Sequence, residues 1–141
     1  MIYTKKTKKA LALCFEAHKD QLDKSGLPYV FHPFHLAEQM TDEVTTIVAL
    51  LHDVVEDTPY TLADIETEFG KEVTDALRLL THDKNVKYSD YVRKIKENPI
   101  AKAVKLADLT HNSDTSRLDV VDEEALKRLK RYKEAFAILN A

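Results

Sequence analysis

Glycine is scarce in this sequence, and its scarcity excludes the common phosphate-binding loops. Only Gly26 and Gly70 occur among 141 residues, whereas average usage is about 7%. A dinucleotide-binding G-x-G-x-x-G segment needs three clustered glycines, and a G-x-x-x-x-G-K loop needs two that are five residues apart. Neither pattern is present, so any phosphate group must be bound by side chains or a metal ion rather than by a glycine-rich backbone.

Other absences narrow the class of protein. Cys14 is the only cysteine, which excludes an intrachain disulfide and a C-x-x-C zinc site and favours a reducing cytoplasm. The apolar run Ala10–Phe15 is too short for a signal peptide or a membrane span. The net charge of −3 gives no argument for nucleic acid. We therefore expect a cytoplasmic protein with no membrane and no nucleic-acid partner, and whether it forms a homo-oligomer stays open.

The sequence pattern predicts helices along the whole chain. Four prolines and two glycines leave few turn signals, which favours helices over many short strands. The only strand-like run, Tyr29–Phe31, is too short to build a sheet. The length suits one domain over residues 1–141, and we predict an all-α bundle. Apolar spacing and capping signals predict helices over about 4–21, 33–40, 44–57, 61–69, 73–80, 90–97, 99–113 and from 122 onward.

The most informative segment is the end of the most apolar helix, the one predicted over residues 44–57. His52, Asp53, Glu56 and Asp57 close it, and the four-residue spacings place His52 with Glu56 and Asp53 with Asp57 on common faces. Buried carboxylates usually pair or hold a metal ion, and imidazole with carboxylate suits Mn, Fe or Zn. An exposed acidic helix end is the weaker alternative, because carboxylates there oppose the helix dipole.

A second group of polar residues lies near the end of the helix predicted over residues 99–113. Asp108 continues the apolar stripe of Ala101 and Val104 and is followed on the same line by Asn112. Taken alone, an internal salt bridge explains Asp108 as well as a metal ligand does. The ligand interpretation gains from His32, which Pro33 places at the mouth of a short helix. His111 lies off the Asp108 line, and we interpret it as structural or as lying behind the ligands.

Four motifs in order resemble the RelA/SpoT hydrolase domain of the HD phosphohydrolase superfamily. The motifs are Ala17–Gln21, Lys24–Pro33, His52–Asp57 and Lys105–Asn112. Enzymes with this domain remove pyrophosphate from the 3′ position of (p)ppGpp. The resemblance covers residues 5–138 and implies an HD-domain helical bundle with a metal site between helices. Because the length leaves no room for a synthetase domain, the chain looks like a stand-alone alarmone hydrolase.

The resemblance also implies roles for individual residues. One divalent ion, Mn²⁺ in this family, would be bound by His32, His52, Asp53 and Asp108. A carboxylate pair would position or deprotonate the attacking water, namely Glu56 and Asp57. The nucleotide substrate would be contacted by Lys24, Asn112, Thr115, Arg128 and Tyr132.

Two positions depart from the family pattern and leave alternatives open. Asp23 and Leu109 stand where the family usually has basic residues. The leading interpretation is a metal-dependent phosphohydrolase that acts on (p)ppGpp. One alternative keeps the chemistry but changes the substrate to another phosphorylated nucleotide, such as NADPH or a nucleoside monophosphate. The other alternative is a non-catalytic nucleotide-binding HD module.

Overall fold

The computed structural model describes residues 1–141 and contains helices but no strands, as the sequence predicts. None of its helices combines the length and apolarity that crossing a membrane requires. A short 3₁₀ helix, Thr115–Arg117, precedes the last α-helix. The α-helices are α1 Lys5–His18, α2 Phe31–Glu38, α3 Glu43–Leu51, α4 Val54–Asp57, α5 Leu62–Phe69, α6 Lys71–Leu80, α7 Tyr88–Lys96, α8 Pro99–Asn112 and α9 Glu123–Asn140.

Helix α3 is the centre of the bundle. Every residue from Thr45 to Leu51 is buried, and α3 packs against α1, α2, α6 and α8. A helix that is apolar nearly all round is buried on most sides, which explains this position. The consequence is that His52, the residue after α3, also lies inside the protein, 4% exposed.

Side-chain caps set where several helices begin. Thr61 and Asp64 form the expected capping box at the start of α5. The Asn98 side chain accepts two backbone N–H groups of α8, with Pro99 as its first residue. The Asp122 side chain accepts the backbone N–H of Ala125 at the start of α9. Each such cap contributes about 1 kcal/mol, and all three confirm the boundaries predicted from the sequence.

The single helix expected over residues 44–57 is wrong, because the chain breaks between α3 and α4. His52 Nδ1 donates to the carbonyl oxygen of Ala49 at 2.6 Å, the oxygen that would otherwise accept the N–H of residue 53. Such a side-chain bond competes with the helical ladder. Asp53 has φ −108° and ψ 0°, which is not helical, and α4 begins after it.

Helix α2 begins two residues earlier than expected. The backbone N–H groups of Phe31 and His32 bond to the carbonyls of Pro28 and Tyr29, which starts the first turn before Pro33. Proline is tolerated there because the first turn needs no donor from it. His32 therefore lies within the first turn of α2, with its ring directed into the bundle and 4% exposed.

Candidate metal centre and adjoining cavities

Two histidines and two aspartates from separate elements meet in the interior. His32 comes from α2, His52 and Asp53 from the α3–α4 junction, and Asp108 from α8. His32 Nε2 lies 2.9 Å and His52 Nε2 lies 3.8 Å from Asp108 Oδ1. His52 Nε2 is also 3.0 Å from Asp53 Oδ2. We call these four residues the His/Asp cluster.

The cluster has the donor set of a divalent-metal site. Ligand atoms of His32, His52 and Asp53 lie within 4.8 Å of one another, and Asp108 approaches both rings. The Nδ1–H of His52 is given to Ala49, so a metal ion would bind at Nε2 in place of a proton. That buried Nε2 forms no hydrogen bond, although Asp53 is near. An unpartnered buried nitrogen between two carboxylates fits a metal ligand.

Charge is concentrated in the cluster. Burial alone would lower the pKa of His52, but Asp53 and Asp108 outweigh it and raise that pKa well above 6.5. Burial alone would raise the pKa of Asp53, but His52 lowers it to about 2. Lys105 and the two histidines hold the pKa of Asp108 well below its usual range despite burial. Both carboxylates are therefore ionised at neutral pH, as metal ligation requires.

Two side chains outside the predicted ligand set hold these carboxylates in place. The Tyr29 hydroxyl donates to Asp53, and Lys105 Nζ donates to Asp108 Oδ2 at 3.0 Å. Tyr29 stands in the Lys24–Pro33 motif, but its sequence position alone indicates no partner. The link is formed by the loop before α2, which brings residues 29 and 53 together. Carboxylates fixed by hydrogen bonds present their remaining lone pairs in one direction.

The larger of two cavities at the cluster, about 390 Å³, contains His32 in its wall. Four of the five predicted substrate-binding residues line it, namely Lys24, Asn112, Arg128 and Tyr132. Thr115, the first residue of the 3₁₀ helix, does not line it. Burial and the neighbouring Arg128 and Arg131 lower the pKa of Lys24, which indicates a locally positive field suited to phosphate.

Arg117 is a cavity residue that the sequence did not reveal. Its Nη1 lies 3.2 Å from Asp23 Oδ2, and its Nη2 donates to the carbonyl oxygen of His111. Asp23 also accepts the backbone N–H groups of Ser25 and Leu27 through Oδ1. Both Asp23 and Arg117 line the larger cavity. Because they are 94 residues apart, no local pattern could have paired them.

A smaller cavity of about 150 Å³ opens on the other side of the cluster. His52, Asp53 and Asp108 form one wall, and Glu56 lies at its edge. Partial desolvation and the nearby Asp53 and Asp57 raise the pKa of Glu56. Asp57 lines neither cavity, and desolvation and Asp53 raise its pKa as well.

An aromatic and basic group completes the smaller cavity. It consists of His82, Tyr88, Tyr91 and Lys105. The ring of His82 packs on Tyr91 with centroids 4.5 Å apart, and Lys105 Nζ lies 5.4 Å from the centre of the Tyr91 ring. His82 is only partly exposed. Its role in the cavity arises from the packing of the α6–α7 loop.

Comparisons with known proteins agree with this geometry. A family model described as the HD domain matches residues 10–131. The bifunctional (p)ppGpp synthase/hydrolase SpoT of Escherichia coli K12 is 36% identical over 126 residues, which cover 79% of this chain and 18% of SpoT. The mouse guanosine-3′,5′-bis(diphosphate) 3′-pyrophosphohydrolase MESH1 is 40% identical over 113 residues, or 70% of this chain and 63% of that protein.

A solved structure gives the same family likeness in three dimensions. It is described as a metazoan ortholog of SpoT that hydrolyses ppGpp and plays a role in starvation responses. It superposes with a TM-score of 0.81 at 28% identity and covers the whole of this chain and 89% of its own. The chain spans 18% of the length of SpoT, so the likeness is to one part of that protein. From the matched residues 10–131 and the shared fold, the chain belongs to the HD domain family.

Proposed function

We propose that this protein is a metal-dependent phosphohydrolase that removes the 3′-pyrophosphate from guanosine alarmones of the (p)ppGpp type. The observation that carries the proposal is the position of the His/Asp cluster. It lies between a cavity lined by Lys24, Arg117 and Arg128 and a smaller cavity edged by Glu56. The names of the matched hydrolases support the same substrate class. The proposal needs only a small-molecule nucleotide as partner and a cytoplasmic location, and it covers residues 1–141 as one hydrolase domain.

The metal ligands in this proposal are the four residues of the His/Asp cluster, and the ion is Mn²⁺. When bound, such an ion supplies Lewis-acid stabilisation at phosphorus and lowers the pKa of a water molecule. The two buried histidines offer Nε2 lone pairs, and the two carboxylates offset the dication charge. Tyr29 and Lys105 orient Asp53 and Asp108 from behind.

Glu56 is proposed to accept the proton of the attacking water. Its carboxylate is at the edge of the smaller cavity, next to two cluster residues. Its raised pKa brings it nearer to the operating pH, which favours general-base catalysis. Asp57 is proposed to assist by charge, since its carboxylate helps to raise the pKa of Glu56.

The larger cavity is proposed to bind the nucleotide. Lys24 and Arg128 would bind phosphate oxygens, because hydrogen bonds from charged donors are about twice as strong as those from neutral donors. Tyr132 and Asn112 offer an aromatic face and an amide to the nucleoside. Thr115 is proposed to contact the nucleotide only at the rim, because it lies outside the cavity wall.

The direct test is product analysis with ppGpp. Protein loaded with Mn²⁺ should release GDP and pyrophosphate in equal amounts, and chelation should stop the release. Asp53→Ala should lose both metal binding and turnover. If the protein is instead a non-catalytic binding module, the wild type itself should bind the nucleotide without turning it over. Absence of pyrophosphate from the metal-loaded wild type would overturn the assignment.

A second candidate substrate is favoured by the Asp23–Arg117 ion pair. This pair places a carboxylate in the cavity wall next to Lys24, where the family usually has a basic residue. A different phosphorylated nucleotide, such as NADPH or a nucleoside monophosphate, would then be cleaved by the same machinery. Measuring the turnover of these nucleotides beside that of ppGpp distinguishes the two candidates. Turnover confined to ppGpp excludes the second candidate.

A further inference from the structure

His111, at the end of α8, makes a direct contact with His32 that the proposed chemistry does not use. The Nδ1 atoms of the two rings are 2.7 Å apart. The ring planes are 10° from parallel, and their centroids are 5.0 Å apart. With so short a distance between nitrogens, near-parallel rings meet edge to edge rather than face to face. This is the geometry of an N–H···N hydrogen bond, in which one ring donates and the other accepts.

The position of His32 decides which ring donates when a metal is bound. Its Nε2 is the nitrogen that points into the His/Asp cluster, 2.9 Å from Asp108. A ligating nitrogen carries no proton, so the single proton of neutral His32 is then on Nδ1. His111 Nδ1 must therefore accept it. The arrangement parallels His52, whose Nδ1–H is taken by the Ala49 carbonyl.

Two contacts fix the position of His111. Arg117 donates to its backbone carbonyl oxygen at 3.2 Å, and the ring of His35 packs on its side chain with centroids 4.3 Å apart. Nδ1 of His111 is thereby held 2.7 Å from Nδ1 of His32, where it can accept the proton.

We propose that His111 is a positioning residue that holds His32 in its metal-binding tautomer and ring orientation. The inference rests on the metal site of the proposed function but not on its substrate. Ligating histidines usually give their second N–H to an oxygen acceptor, and loss of that partner typically costs ten- to hundredfold in metal affinity. Here an imidazole from α8 takes the place of the oxygen, which couples His32 of α2 to the same helix that supplies Asp108.

The experiment measures Mn²⁺ binding by calorimetry without substrate. His111→Leu removes the acceptor and should weaken binding roughly ten- to hundredfold. His111→Asn places an amide oxygen near the position of Nδ1 and should restore most of the affinity. The matched control is Thr110→Leu on the same helix, at an exposed position that lines neither cavity at the cluster, and it should leave the affinity unchanged.

A second readout reports this hydrogen bond directly. In Zn²⁺-loaded protein, which is diamagnetic, the proton on His32 Nδ1 should exchange slowly with water and give an observable ¹H–¹⁵N signal, and in His111→Leu this signal should be lost to fast exchange. Urea unfolding separates the alternatives. If His111→Leu lowers stability but leaves Mn²⁺ affinity intact, His111 is only structural and the inference fails. A wild type that binds no metal overturns the metal site as well, whereas metal binding without ppGpp hydrolysis removes only the substrate assignment.

Discussion

Asp108 keeps its charge inside the protein because three donors surround its carboxylate. Oδ1 accepts from the side-chain amide of Asn112 and faces His32, both at 2.9 Å, while Oδ2 accepts from Lys105 at 3.0 Å. Asp108 and Lys105 are both nearly removed from water. At the residue scale the site is therefore also a structural ion pair, so substitutions affect folding as well as binding.

Asp108→Asn should destabilise the metal-free protein. The amide keeps the size of the side chain but removes the negative charge, so the buried ammonium of Lys105 loses its partner. Breaking a buried pair in this way costs roughly 3–5 kcal/mol. Urea unfolding in chelator measures the free energy. The matched control is Asp75→Asn, which breaks an exposed pair of the same i,i+3 spacing with Arg78 and should cost under about 1 kcal/mol. Equal small losses in both variants would contradict the argument.

At the scale of elements, junctions rather than helices position the site. The break at Asp53 separates α3 from α4, and Gly70 separates α5 from α6. Gly70 has φ 92°, a conformation that residues with a Cβ rarely adopt. It ends α5, as the sequence predicts, and it also directly precedes α6. The direction of α6 determines where the α6–α7 loop places His82 beside the cluster.

Gly70→Ala should lower stability without changing the site. A Cβ at this position meets no atom within 4 Å, so the cost arises from the backbone alone and should be about 1–3 kcal/mol. Lys71→Ala, one residue further along the chain, is the control and should stay within about 0.5 kcal/mol. Thermal and urea unfolding measure both variants. A neutral Gly70→Ala would show that the junction adopts another conformation at no cost.

At the scale of the whole molecule, the His/Asp cluster fastens separate helices to one point. Residues 32 and 108 are 76 positions apart, and each comes from a different helix around α3. A ligand that binds only the folded state adds its binding free energy to the free energy of unfolding. The fold and a bound ion should therefore stabilise each other.

Saturating Mn²⁺ should raise the melting temperature of the wild type. At a free concentration of about 100 times the Kd, the gain is about 2.7 kcal/mol. Scanning calorimetry with and without chelator measures the shift. Asp53→Ala should melt at the same temperature in both conditions, and an unshifted wild type would exclude a tightly bound ion.

The stabilisation by metal should grow with pH. In the metal-free protein the raised pKa of His52 stabilises the fold fully below about pH 6.5, and this contribution is lost as the pH rises through the folded pKa. The ion competes with the same proton, so the Mn²⁺ affinity should rise by up to about tenfold per pH unit in that range. Calorimetric titrations at several pH values measure this slope. An affinity that is flat or falls with pH would contradict the assignment of His52 as a ligand.

Local interactions explain why much of this molecule was predictable. The caps at Thr61, Asn98 and Asp122 act within one turn, so their sequence patterns correctly mark helix starts. The break after His52 was missed because it depends on which backbone oxygen a buried ring contacts. Arg117 was missed because its partner, Asp23, lies 94 residues away. Thr115, which the family resemblance implies as a substrate contact, does not line the cavity, and its role stays a prediction.

The sequence by itself determined the all-α class, the absence of a glycine-rich phosphate loop and the chemical types of the cluster residues. These follow from composition, periodicity and short-range spacing. Only the tertiary structure decided that His32, His52, Asp53 and Asp108 meet, that two cavities flank them and that His111 contacts His32. Those facts depend on how α2, α3 and α8 pack, and packing joins residues whose separation along the chain carries no local signal.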